Sequence, residues 1–250
     1  MKIAISGKGG AGKTTVAAFL AHSFLKENKK VFLIDADPDG NLPLALGFTP
    51  EELSKIKPII ELKELIAERT GSTGDGYFKL NPDVSDIPEK YSFEKNGIKI
   101  MVLGTLKRGG SGCYCPENAF LKSLLRHLFL RKEEVIILDM PAGIEHLGRG
   151  TAETVDCLLI VAEPTSKSVQ TAQRVSALSK DLKIKKVYVV GNKITGKSDV
   201  DFIKNEMPDI QIIGNISYNP GILKSEQSKK PLFLSEGITP AEITEIKNRL

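Results

Sequence analysis

The chain has 250 residues, with 35 Lys and Arg against 31 Asp and Glu, a formal net charge of +4; 41% are hydrophobic and 26% charged. That mix is typical of globular proteins and excludes disordered, collagen-like and coiled-coil chains. No stretch approaches the roughly 20 apolar residues that span a bilayer, and the lysines are scattered rather than gathered into a nucleic-acid-binding stripe.

The first residues, Met1-Lys2-Ile3-Ala4-Ile5-Ser6, run into a strand without a cleavable signal, which predicts a cytoplasmic protein. Further apolar runs follow at 31–35, 98–103, 135–139, 158–162, 187–191 and 210–216. Their β-branched character suits strands buried on both faces. Helical patterns fall between them at 14–26, 119–130, 166–180 and 200–206, with a last one near 241–250. Strand and helix in steady alternation predict an α/β fold, a doubly wound, mostly parallel sheet flanked by helices. Residues 48–96 break the rhythm: they show a helical pattern over 58–69 and no strong strand. They are read as an insertion on a single domain spanning 1–250.

Between the first strand and the first helix lies Gly7-Lys8-Gly9-Gly10-Ala11-Gly12-Lys13-Thr14-Thr15, the G-x-x-x-x-G-K-T spacing of a P-loop. Glycines let backbone N–H groups curl around phosphate oxygens, and the helix N-terminus adds a favourable dipole. Lys13 can span the β- and γ-phosphates and the Thr14 hydroxyl can ligate Mg²⁺. Gly9, Gly10, Ala11, Gly12 and Thr15 complete the cradle.

Two acidic segments sit at strand ends, where ligands bind in open α/β sheets: Asp35-Ala36-Asp37-Pro38, and Asp139 followed by Met140-Pro141-Ala142-Gly143. Asp139 fits a carboxylate behind the Mg²⁺ shell, and Gly143 could offer a backbone N–H to the γ-phosphate. Asn192-Lys193 closes another strand, where an Asn amide can read a purine edge.

A second constellation, Gly109-Gly110-Ser111-Gly112-Cys113-Tyr114-Cys115-Pro116, offers two thiolates in a pattern too short to close a disulfide easily. Each pair is half of a tetrahedral site for a soft or borderline metal. A two-fold axis through the loop would complete a Cys₄ site from two chains. Cys157, inside an apolar run, reads as inert core; His22 and His127 read as structural or solvated, and His146 as a member of a second switch.

The P-loop with Lys8 after Gly7 resembles the deviant Walker A signature of the MinD, ParA and nitrogenase iron protein class, and Asp35–Pro38 matches its first switch. The resemblance implies that Lys8 reaches the partner's nucleotide across a homodimer interface, that Asp37 orients or activates the attacking water, and that adenine lies near Asn192. With Ser111-x-Cys113-Tyr114-Cys115 and Asp139-Met140-x-Ala142-Gly143-Ile144-Glu145-His146, the chain looks like the nickel-insertion accessory ATPases of carbon monoxide dehydrogenase and acetyl-CoA synthase. That resemblance implies an ATP- and Mg²⁺-dependent metallochaperone whose Cys113 and Cys115 from two subunits bind Ni²⁺ or Zn²⁺. Its partners would be a second copy and one of those apo-enzymes. Ala11 stands where valine is common, and Ser217 where proline usually precedes Tyr218-Asn219.

Two other readings compete. An iron–sulfur reductase or scaffold like the nitrogenase iron protein would use cysteines far apart in sequence. A MinD- or ParA-type positioning switch needs a basic amphipathic anchor or a DNA-binding surface, and the short, mixed-charge segment 239–250 is a poor anchor.

Overall fold

Eight strands form one sheet in the order β3-β4-β2-β5-β1-β6-β7-β8. The computed structural model describes residues 1–37, 40–72, 76–104, 115–144, 147, 149–234 and 240–250. In chain order, β1 (Lys2–Gly7) leads into α1 (Lys13–Leu25), then β2 (Lys30–Asp35), α2 (Leu42–Ala45), α3 (Pro50–Leu53), α4 (Lys63–Thr70) and α5 (Ile87–Tyr91). Next come β3 (Phe93–Lys95), β4 (Ile98–Val102), α6 (Pro116–Phe129), β5 (Glu134–Asp139), α7 (Arg149–Ala152) and β6 (Cys157–Ala162). The chain continues through α8 (Ser166–Asp181), β7 (Val187–Ile194), α9 (Lys197–Glu206), β8 (Ile212–Ser217), α10 (Pro220–Gln227) and α11 (Pro240–Asn248).

Every predicted strand is present, and every pairing is parallel except β3 with β4. The unbroken apolar runs follow from burial on both faces. In β1, Ala4 enters the core layer under α6 and α8, while Ile3 and Ile5 enter the layer under α1 and α11. In β2, Phe32 and Ile34 face the first layer, and Val31 and Leu33 the second. Neighbouring strands repeat the alternation, so neither face is left for water. Helix α1 is itself buried along most of its length, including Val16 through Ala21; a helix apolar nearly all round belongs inside.

The stretch 48–96 differs from its expectation in two respects. It holds a strand, β3, joined to β4 by Asn96-Gly97 with both residues at positive φ, 53° and 78°. Lys95 pairs with Ile98 across that turn, the two-residue Asn-Gly hairpin that suits strand twist. A three-residue edge strand has too few apolar positions to register as a run. The predicted helix over 58–69 is a short 3₁₀ turn, Ile59–Glu61, followed by α4. Ile59, Ile66, Val84 and Ile87 carry this stretch into the core beside α6.

The connectivity sets the site. From β1 the chain crosses to β2 and β4, returns to β5 beside β1, and then continues on the other side through β6. The reversal falls at β1, so its carboxyl end is the crevice where such sheets bind ligands. Helix α6 must run back to begin β5, so its first residues also lie on that side. Phe120, fully buried in α6, anchors the helix to the sheet. Phe120→Ala is expected to cost about 3–5 kcal/mol of unfolding free energy in urea titration.

Candidate functional site

A cavity of about 650 Å³ opens at the carboxyl end of β1, within the range for small-molecule sites. Gly9, Gly10, Gly12, Lys13, Thr14 and Thr15 form its floor. Asp37, Asn192 and Lys193 reach it from neighbouring strand ends, and Tyr218 and Leu223 from the β8–α10 corner.

The loop geometry follows from its glycines. Gly12 is the N-cap of α1 with φ +95°, and no side chain caps the helix, so its first N–H groups face the cavity. A Cβ on Gly12 would meet Asn192 Nδ2 at 2.1 Å. The Asn192 amide donates to the Ala11 carbonyl at 2.7 Å, which fixes its orientation and ties β7 to the loop. Ala11 is fully buried beneath.

Lys13 is 6% exposed, and its Nζ lies 3.5 Å from Asp37 Oδ2. Asp37 is held in turn by Asp35, fully buried, whose Oδ1 accepts from Asp37 N–H at 3.1 Å and Oδ2 from Leu42 N–H at 3.0 Å. Burial raises the Asp35 carboxyl to about 6 against those two hydrogen bonds. Asp35 thus staples both ends of the loop that carries Asp37.

Thr14 Oγ1 donates to Asp139 Oδ2 at 2.6 Å. Asp139 Oδ1 is buried without a partner. Burial pushes this carboxyl up to about 7; the Thr14 hydrogen bond opposes the shift, and the neighbouring Asp35 adds to it. A hydroxyl beside an unsatisfied buried carboxylate oxygen is a hard-oxygen donor set that fits a hydrated Mg²⁺ ion.

Lys8 points elsewhere. Its Nζ bonds Glu163 Oε1 at 3.1 Å, while Lys193 Nζ bonds Glu163 Oε2 at 3.0 Å and the Gly10 carbonyl at 2.7 Å. Burial opposes ionisation of Glu163, yet the hydrogen bonds from Lys193 and Lys8 outweigh it and hold the carboxyl below the usual Glu range. Sequence reasoning missed Glu163. The signal was present, since Glu163 follows β6 directly, at the same sheet end as Asp35 and Asp139.

Gly143 N–H donates to the Pro141 carbonyl at 2.7 Å within its own turn, and Ser6 Oγ donates to the Gly143 carbonyl at 2.7 Å. The Gly143 N–H is thus engaged within its own turn, while its carbonyl is tied to the end of β1. Ser217 Oγ donates to Glu242 Oε1 at 2.6 Å, tying the β8 end to α11.

Cys115 is half-buried and is the N-cap of α6, with Pro116 as the first helical residue. Cys113 and His146 lie outside the described residues. Among the described residues no group of three or more His, Cys, Asp or Glu could hold a metal ion. Cys157 is buried, and burial raises its thiol to about 12, in keeping with an inert core residue. His22 stacks on Phe233 at 4.2 Å, and His127 lies in the last turn of α6.

Residues 2–232 match the CobQ/CobB/MinD/ParA nucleotide binding domain. The chain belongs to that family. It is 44% identical over 230 residues to the carbon monoxide dehydrogenase accessory protein CooC of Rhodospirillum rubrum, covering 91% of this chain and 88% of that protein. An uncharacterized ATP-binding protein of Methanocaldococcus jannaschii is 44% identical over 240 residues, covering 94% and 91%. The protein is thus a CooC-like member of the MinD/ParA class. Its fold matches MinD in the MinC:MinD cell division complex of Aquifex aeolicus, with TM-score 0.69 at 23% identity over 99% of this chain and 94% of that one. It likewise matches MinD of Pyrococcus horikoshii complexed with Mg-ADP, with TM-score 0.68 at 18% identity over 99% and 94%. Among the described residues no helix is long and apolar enough to cross a membrane.

Asp139 yields a test with a definite sign. Its pKa rises from 3.8 in the unfolded chain to about 7 in the fold. Folding is therefore favoured below pH 4, and that contribution is lost as pH rises through 7. Asp139→Asn is expected to stabilise the nucleotide- and metal-free protein at pH 8 by roughly 1–3 kcal/mol. The gain should vanish near pH 4 in denaturant titrations, while Mg-ATP affinity falls.

Proposed function

We propose that this chain is a homodimeric ATPase that carries Ni²⁺ and couples ATP binding and hydrolysis to insertion of the metal into apo-carbon monoxide dehydrogenase or acetyl-CoA synthase. Residues 1–250 act as a single domain in this reading, with 48–96 as an insertion. The observation that carries it is the placement of Cys115 at the N-terminus of α6, on the same side of the sheet as the P-loop cavity. The 44% identity to CooC supports carbon monoxide dehydrogenase as recipient.

The nucleotide half of the cycle starts from charge exchange. P-loop N–H groups and Lys13 bind the phosphates, and Asn192 and Lys193 border the nucleotide. Phosphate competes with Asp37 for Lys13, so the carboxylate now 3.5 Å from Nζ is released to orient the attacking water. Thr14 and Asp139 would hold a hydrated Mg²⁺ ion, whose contribution when bound would be charge screening of the transferring phosphoryl group. Gly143 reaches the γ-phosphate once its turn opens, and Lys8 adds positive charge there from the partner chain.

The metal half uses Cys113 and Cys115 of two chains as four sulfur ligands. Thiolates select a borderline cation such as Ni²⁺ or Zn²⁺ over Mg²⁺. ATP and metal both prefer the closed dimer, so each strengthens the other's binding.

Two measurements test this. Equilibrium Ni²⁺ titration should show about fivefold or greater tightening when a non-hydrolysable ATP analogue is present, within the usual range of allosteric coupling; equal affinities would reject the coupling. Replacing both cysteines, Cys113→Ser with Cys115→Ser, should abolish stoichiometric metal per dimer while leaving nucleotide affinity in metal-chelated buffer unchanged. Retained metal would remove the cysteines from the site.

A further inference from the structure

We propose that Glu163 is a restraint on Lys8: its carboxylate holds the P-loop lysine against its own chain, and closure of two chains on ATP requires that contact to be released. This deepens the dimer reading above and rests on it.

Glu163 is well placed to act as the fixed party. It follows β6 directly, next to β1 in the sheet, and its backbone N–H donates to Ser168 Oγ at 3.0 Å. Thr165 caps α8, accepting from Ser168 N–H at 3.3 Å, and its hydroxyl also reaches Glu163 Oε1 at 3.4 Å. The Glu163 side chain is 13% exposed, against 35% for Lys8. The carboxylate is set in a built corner at a helix N-terminus, a position favourable to negative charge. The lysine is the partner with freedom to move.

The division of the two oxygens decides how costly that movement is. Oε1 serves Lys8 and Oε2 serves Lys193. When Lys8 leaves, Lys193 remains on the carboxylate, so no buried charge is left unpaired. An ion pair with one shared partner can therefore open without the several kcal/mol that attend an orphaned buried charge. Lys193 is also bonded to the Gly10 carbonyl, so it stays with the loop while Lys8 swings out. A pair built purely for stability would have no need of this second cation. The arrangement sets a threshold instead: the negative charge that draws Lys8 across an interface must exceed the pull of Glu163.

The test uses the full-length protein with Glu163→Gln, which keeps shape and removes charge, and Glu163→Asp, which keeps charge but cannot reach both lysines. Urea midpoints establish that each variant is folded. In the absence of nucleotide, acylation of Lys8 by an amine-reactive ester is followed by peptide mass spectrometry, with exposed Lys55 as internal reference. The Gln variant should label Lys8 about two- to fivefold faster than wild type, the range for a partly exposed ion pair, with Asp in between. Sedimentation across a titration of a non-hydrolysable ATP analogue should then place half-maximal dimerisation at a two- to fivefold lower concentration in the Gln variant. Unchanged Lys8 labelling overturns the restraint, as does an unchanged or raised dimerisation threshold. If wild type and variants all stay monomeric at saturating analogue, the dimer reading fails and the gating role with it. The labelling result alone then still reports whether Glu163 holds Lys8.

Discussion

Where β1, β2, β5, β6 and β7 end, Lys8 and Lys193 share Glu163 and Lys13 faces Asp37, while the buried Asp35 and Asp139 are held by backbone N–H groups and the Thr14 hydroxyl. A parallel sheet covered on both faces leaves its carboxyl edge as the place where polar side chains can gather without entering the core. Everything distinctive about the site follows from how that charge is shared. Lys13 is nearly buried, with the Asp37 carboxylate 3.5 Å from its Nζ. Asp139 and Asp35 are fully buried and unusually reluctant to ionise. Stability has been given up here for a site that gains most when cation and phosphate arrive, the usual direction of trade between stability and function.

The same sharing connects parts of the chain far apart in sequence. Asp35 closes the loop containing Asp37, and its carbonyl accepts from Leu103 N–H at 2.8 Å, at the end of β4. The Ile60 N–H in turn donates to the Leu103 carbonyl at 3.0 Å, so residues of the 48–96 stretch brace the strand that leads toward Cys115. Asn192 links β7 to the P-loop through Ala11. Main-chain hydrogen bonds thus brace the Asp35 strand end, and a separate side-chain bond braces the P-loop.

Sequence reasoning and structure agree where a pattern is long or chemically demanding. The continuous apolar strands were legible because two-sided burial leaves no polar alternation to mistake for a loop. The P-loop was legible because positive φ and close backbone approach admit only glycine at Gly12. The β3 hairpin was missed although Asn96-Gly97 announces it, since attention to apolar runs passes over a strand of three residues. Helix α10 was also missed: Pro220–Gln227 begins with a proline and a glycine, which read locally as a turn. Glu163 went unread because a lone acid at a strand end has many structural uses.

The amino-acid order by itself determined the strand succession, the phosphate cradle and the acidic strand ends, because each is enforced by local sterics or by a periodicity that neighbouring residues share. Tertiary structure alone decided who pairs with whom. Lys8 meets Glu163, 155 residues away, only because β6 lies beside β1, and Thr14 meets Asp139 only because β5 lies on the other side. Spacing along a chain carries no information about such meetings; they are set by the order in which strands enter the sheet.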